Sequence, residues 1–178
     1  MKKVIYLCLL LICVGCVTST NKATTQESTS EGFTKVFNEY GFSVTTPCVL
    51  EEGTSLAQRH VGENIEADYY GIDHPDDTVN TTGYQVVVHK VPKNCFEDEA
   101  KQNEYMEQMK ASGVTNVEKV IFSDNKYIGF VGDKYQNGTM SRMVMFNKGD
   151  NLITLMVSAN KDLDQKFKTF TDSFIVTD

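Results

Sequence analysis

Apolar residues along this chain fall mainly into short runs that turn-forming residues separate. Runs rich in Val, Ile, Tyr and Phe that end at Gly, Pro, Asn or Asp are typical of β-strands. Asn137-Gly138, between two such runs, is the strongest hairpin signal in the chain. Residues 51–65 carry mixed signals for secondary structure, so no strand or helix is predicted there. The pattern predicts strands at residues 33–37, 42–46, 68–72, 84–91, 117–122, 126–135, 140–146 and 152–157.

Two further segments have helical spacing. Asn94 followed by Glu97 is similar to a capping box, and Gly113 is a typical C-terminal stop. The first helix is therefore predicted to begin after Asn94 and to end at Gly113. The second helix is predicted at residues 161–173, with a continuous apolar face. That face would consist of Leu163, Phe167, Phe170 and Phe174.

The strands predicted to be central are apolar on both faces. Residues 86–88, 143–146 and 152–157 do not alternate between apolar and polar, as a sheet with one solvated face would. Both faces should therefore be covered, and two helices are available. We expect an α+β fold in which an antiparallel sheet of about six or more strands is flanked by helices on both faces, a three-layer sandwich.

The first residues have the composition of an export signal. Lys2 and Lys3 precede the apolar residues 4–14, a stretch that is long enough for a signal peptide and too short to span a bilayer. Gly15 and Cys16 follow directly. An ordinary cleaved signal peptide with incidental cysteines is one interpretation.

Residues 12–16 also resemble the lipobox of bacterial lipoproteins, with Cys13 where that family usually has leucine. The resemblance implies that Cys16 is acylated and anchors the chain in membrane lipid. Val17, and not Asp, follows the cysteine, which resembles lipoproteins that are sent on to the outer membrane. We therefore expect a lipid-anchored protein of the bacterial cell envelope.

These features divide the chain into three parts. Residues 1–15 would be the lipoprotein signal peptide, 16–31 the lipidated cysteine with a Ser/Thr-rich tether, and 32–178 one domain. The whole chain has a net charge of −7, and removing the two lysines of the signal would make it about −9. Such a charge disfavours binding to nucleic acid.

Two segments carry a likeness to a fold family. FNEYGFSVTTP at 37–47 and LITLMVSANKDLDQKFKTFTDSFIV at 152–176 are similar to segments of the PsbP-like superfamily. The resemblance implies a PsbP-like three-layer domain that serves as a non-catalytic accessory or binding module, often at a membrane surface. It carries no catalytic residue across.

Cys48 and Cys95 are the cysteines of the expected domain. In an oxidising compartment such a pair is most simply a disulfide, which would stabilise the domain by roughly 4 kcal/mol on a chain-entropy estimate. Two unrelated thiols, or a reactive Cys95 at the start of a helix, are the alternatives.

No motif of catalysis or cofactor binding is present. His60, His74 and His89 lie outside the usual zinc-protease and nucleophile-elbow contexts, and the acidic residues at 68–77 do not have the spacing of a calcium loop. We therefore predict no catalytic, cofactor-binding or metal-binding residue.

The leading functional hypothesis is a membrane-anchored, non-enzymatic binding or accessory lipoprotein whose partner is an envelope protein or ligand. An envelope hydrolase and a protein that captures glycans or peptides are the alternatives. Asp77-Thr78-Val79 is similar to an O-glycosylation sequence of some Gram-negative bacteria, so Thr78 is a candidate glycosylation site.

Overall fold

The computed structural model of the chain describes residues 25–29, 32–58, 64–75, 81–91, 96–123, 126–136 and 138–177. This part of the chain consists mainly of strands and contains two helices. The elements are β1 (Thr25–Thr29), β2 (Gly32–Phe37), β3 (Phe42–Thr46), β4 (Glu51–Gln58), β5 (Asn64–Pro75), β6 (Thr81–Lys90), α1 (Glu99–Ala111), β7 (Thr115–Phe122), β8 (Tyr127–Gln136), β9 (Thr139–Lys148), β10 (Asn151–Ala159), α2 (Leu163–Asp172) and β11 (Ile175–Val176).

The strands form two antiparallel sheets. The large sheet has the order β4-β5-β6-β10-β9-β8-β7, and the small sheet has the order β1-β2-β3-β11. β1 lies within the segment that was expected to be a tether, and it pairs with β2 from Thr25 opposite Val36 to Thr29 opposite Gly32.

The predicted three-layer α+β sandwich, with one antiparallel sheet of about six or more strands flanked by helices on both faces, is wrong. The described chain is mostly β-strand, with two helices and two separate sheets. The strands predicted at 33–37 and 42–46 do form, but they build the small sheet. Strands that are apolar on both faces require cover on both sides, and this cover need not be helical.

One face of the large sheet, called here the small-sheet face, packs against the small sheet and α2. Its core includes Val144 and Ile153 of the large sheet, Phe42 of the small sheet and Phe170 of α2, all at most 1% exposed. Phe174 connects the layers, because its ring centroid lies 5.2 Å from that of Phe42 and 5.1 Å from that of Phe146.

The opposite face, called the α1 face, packs against α1. Phe96, Tyr105 and Phe130 form an aromatic group with ring centroids 4.7 to 5.3 Å apart. Met109 is fully buried in the same core, which also includes Met143, Met145, Leu152 and Met156 of the sheet. Each face of the large sheet therefore has its own hydrophobic core.

The first helix begins later than predicted. Asp98 is its N-cap, and its carboxylate accepts a hydrogen bond of 2.8 Å from the backbone N–H of Lys101. Asn94, the expected cap, lies outside the described residues. A helix that starts at Glu99 places Gln102, Tyr105 and Met109 on the buried side.

The second helix and the strongest hairpin were predicted correctly. α2 buries Phe170 on its apolar side. β8 and β9 flank the Asn-Gly turn, and Gly138 has the positive φ of +82° that such a turn requires. Asn137 itself lies outside the described residues.

Candidate functional site

Most of the residues singled out in the sequence fall outside the described ranges: Cys16, His60, Thr78 and Cys95. Cys48 is described, and it is 4% exposed in the core below the small sheet. The Thr46 hydroxyl donates a 2.7 Å hydrogen bond to the backbone carbonyl of Cys48, which fixes the chain just after β3. The disulfide between Cys48 and Cys95 stays a prediction.

The positions of His74 and His89 are far apart. In the large sheet, His74 pairs with Thr82 and His89 pairs with Ala67. Thr82 and His89 are both in β6, so the two pairs are separated by about 24 Å along the strand. The described ranges also contain no group of three or more His, Cys, Asp or Glu residues placed to hold a metal ion.

A partly buried ion pair lies where the large sheet meets the start of α2. Arg142 in β9 is opposite Asp133 in β8; its Nε donates to Oδ1 at 2.7 Å and its Nη2 to Oδ2 at 3.0 Å. Asn116 Nδ2 donates to the same carboxylate at 2.9 Å. Asp164 in the first turn of α2 is a second partner of the guanidinium.

The geometry explains the electrostatics of this ion pair. The hydrogen bonds from Arg142, and then that from Asn116, lower the pKa of Asp133 although burial opposes this. Asp133, Asp164 and Glu118 all favour the charged form of Arg142, and the Asp133 hydrogen bonds are the largest cause of its raised pKa. Because both Asp133 oxygens are hydrogen-bonded, we assign this cluster to joining β7, β8, β9 and α2.

Beside the ion pair, two apolar side chains are exposed at the end of the β8–β9 hairpin. Tyr135 and Met140 are opposite each other, and they are 68% and 38% exposed. Strand alternation places them on the same face as Asp133 and Arg142. This pair, called here the hairpin patch, presents an aromatic ring and a flexible thioether to solvent.

The other face of the same hairpin carries polar residues. Lys134 is opposite Ser141, which is in turn opposite Ser158 in β10. The two serine hydroxyls are hydrogen-bonded at 2.7 Å. Gln85 in β6 is 4% exposed and lies diagonally next to Ser158. These four residues are called here the polar row.

Sequence reasoning assigned no functional role to the residues of these two groups. The signal that could have found them is the Asn-Gly turn, which fixes the hairpin register. Given that register, residues 135 and 140 must share one face and residues 134 and 141 the other.

No known family model matches this chain, and no curated protein is significantly similar to it. Within the described ranges, neither helix has the length and apolar character that crossing a membrane requires.

Proposed function

We propose that this chain is a lipid-anchored lipoprotein of the bacterial envelope that acts as a non-enzymatic binding or accessory protein. Anchoring would occur through acylated Cys16, which follows Gly15 at the end of an apolar stretch of signal-peptide length. Two or three acyl chains are enough for stable membrane attachment, which requires two such signals. The outer membrane is the proposed destination.

The binding surface that we propose is the hairpin patch. Tyr135 is the main support for this proposal. Its side chain is 68% exposed beside an exposed methionine, and tyrosine and methionine are both enriched at protein interfaces. A single Tyr or Met on a surface is ordinary; here the two are cross-strand neighbours.

The charges next to the patch define the partner. Asp133, Asp164 and Glu118 surround the single guanidinium of Arg142, so carboxylates outnumber cations there. The whole chain is also acidic, with a net charge of −7. We therefore propose an envelope protein that presents basic residues around an apolar side chain, and whose association slows as salt rises.

Anchoring is tested by growing cells with a labelled fatty acid. The wild-type chain should incorporate the label, and Cys16→Ser should not. Incorporation by Cys16→Ser at the wild-type level would contradict the assignment of Cys16.

Partner binding is tested with a photo-reactive residue placed at Tyr135 of the full chain in cells. Ile121 is a matched control, because it is 63% exposed on the edge strand β7, away from the hairpin. We expect a defined adduct with a basic protein at position 135 and not at 121. Tyr135→Ser and Met140→Ser should weaken recovery of that partner with the purified proteins, as should higher salt.

Equal adducts at both positions, or none at position 135 in a protein of normal abundance and lipidation, would overturn the assignment of the hairpin patch.

A further inference from the structure

The strand register shows at which end of the domain the N-terminal segment joins it. β1 begins at Thr25, which is opposite Val36, and Val36 is opposite Ser43 beside the turn between β2 and β3. Lys148, the last residue of β9, donates a hydrogen bond of 2.8 Å from Nζ to the backbone carbonyl of Tyr40 in that turn. The start of β1, the β2–β3 turn and the end of β9 therefore lie at one end of the domain, called here the anchor end.

The hairpin patch lies at the opposite end of the domain. Met140 is eight residues before Lys148 in β9, a distance of about 27 Å along the strand. Tyr135 is opposite Met140, so the whole patch is this far from the anchor end. The point where the chain joins the domain and the proposed binding surface are therefore separated by almost the full length of β9.

The pairing of β1 also limits how far the domain can move from a lipid anchor. Nine residue steps connect Cys16 to Thr25, and a chain of that length spans at most about 32 Å. A flexible chain of nine residues averages only about 16 Å from end to end. To stand the domain with the patch on the lipid, the connecting chain would have to extend to about 27 Å, close to its limit. Chain entropy therefore favours the orientation in which the anchor end is next to the membrane.

The charges beside the patch favour the same orientation. Asp164 is 82% exposed, and together with Asp133 and Glu118 it surrounds the guanidinium of Arg142. A leaflet that contains anionic lipid repels carboxylates that come within a Debye length of it, on the order of 10 Å. Because Asp164 belongs to α2, it would approach the lipid both if the domain stood on the patch and if it lay on its α2 side. Placing the anchor end at the lipid keeps these carboxylates away from it.

We propose that the hairpin patch binds its partner on the side of the domain that is away from the membrane. The basic site of the partner would then lie between about 27 and 60 Å from the lipid surface, the upper limit being set by a fully extended connecting chain. Such a partner is a soluble protein of the envelope, or one that projects well beyond the lipid. The proposal rests on the proposed function, namely on acylated Cys16 and on the hairpin patch.

The experiment measures energy transfer from the full-length lipoprotein to a dye on the lipid headgroups. The protein is added to preformed vesicles of phosphatidylcholine with roughly a third phosphatidylglycerol. A fluorescent amino acid replaces either Asn38 in the β2–β3 turn or Tyr135 in the patch, both of which are exposed. The difference in height of about 27 Å should make transfer at least about twofold stronger from position 38 than from position 135. Equal transfer, or stronger transfer from position 135, would overturn the proposal.

Ile121 is a matched control position at the anchor end. It is 63% exposed and opposite Ile128, which directly precedes the pair of Gly129 and Phe146 near the end of β9. Its neighbours Val120 and Phe122 pack on the small-sheet face, so alternation places Ile121 on the α1 face. Transfer from position 121 should be close to that from position 38. A domain lying on its small-sheet side would instead give weak transfer from position 121 and strong transfer from position 135, which would also overturn the proposal.

Flotation of the protein with the vesicles is measured in the same samples, and Cys16→Ser should not float. Wild-type protein that does not float would contradict the lipid anchor, and the proposed orientation would fall with it. Wild-type protein that floats without excess transfer from position 38 would overturn the orientation alone. Cross-linking at Tyr135 in cells would then still test the hairpin patch, so the two failures are distinguishable.

Discussion

Arg142 donates two parallel hydrogen bonds to Asp133, from Nε to Oδ1 at 2.7 Å and from Nη2 to Oδ2 at 3.0 Å. The Asp133 side chain is only 6% exposed, whereas that of Arg142 is 28% exposed. The pair therefore lies at the border of the core, where a bidentate contact is far better shielded from water than a surface ion pair.

Asp133→Asn should destabilise the domain by about 3 kcal/mol, because it leaves the Arg142 guanidinium without its buried counter-charge. Asp164→Asn is the matched control: Asp164 also contacts Arg142, but its side chain is 82% exposed, and the expected loss is under about 1 kcal/mol. Urea unfolding of both variants measures the difference. Equal losses would show that burial does not set the strength of these contacts.

The same pair should make stability sensitive to acid. The hydrogen bonds from Arg142 and Asn116 hold the folded pKa of Asp133 below its ordinary value of 3.8. A lowered folded pKa contributes stability that is fully present above the unfolded pKa and is lost as pH falls through the folded pKa. The gap in unfolding free energy between wild type and Asp133→Asn should be constant above about pH 5 and shrink below about pH 4. A gap that stays constant down to pH 2 would contradict this account.

Gly132→Ala should destabilise the domain by about 1–3 kcal/mol, because the added methyl group would lie 2.4 Å from Val114 Cγ1. Val114 is 2% exposed and has little room to move. Adding Val114→Ala should remove the clash, so the double variant should lose less stability than the sum of the single variants. Thermal unfolding of the three variants checks this; strict additivity would mean that the two positions are not in contact.

Cys48 and Cys95 should form one intramolecular disulfide. Protein that is purified without reductant and denatured in alkylating reagent should gain no alkyl groups on these two residues, and it should gain two after reduction. Denaturation is needed because Cys48 is 4% exposed in the native domain. Two alkylated cysteines before reduction would exclude the bridge.

Local elements were predictable where one signal dominated. The Asn-Gly turn fixed the β8–β9 hairpin, and the phenylalanines of 161–173 fixed α2, whose actual bounds are Leu163–Asp172. β4 was missed because Glu51–Gln58 is rich in polar and small residues that form a strand only by pairing with β5.

The arrangement of these elements was less predictable. Apolar residues on both faces of β10 show that the sheet is covered, and they do not show whether a helix or another sheet covers it. The polar row was hidden for a related reason: Lys134, Ser141, Ser158 and Gln85 become neighbours only through the pairing of four strands.

The small sheet has a consequence for the order in which the chain folds. Its β3 edge is completed by β11, and Ser173 closes the junction by accepting a hydrogen bond from the backbone N–H of Thr45, 128 residues away in sequence. Contacts between such distant residues form slowly, because a long loop must close first. While the chain emerges during synthesis, β3 keeps an unpaired edge until the last strand is present. In that interval the nascent protein is most open to mispairing with other chains, and a chaperone that holds exposed strand edges would protect it.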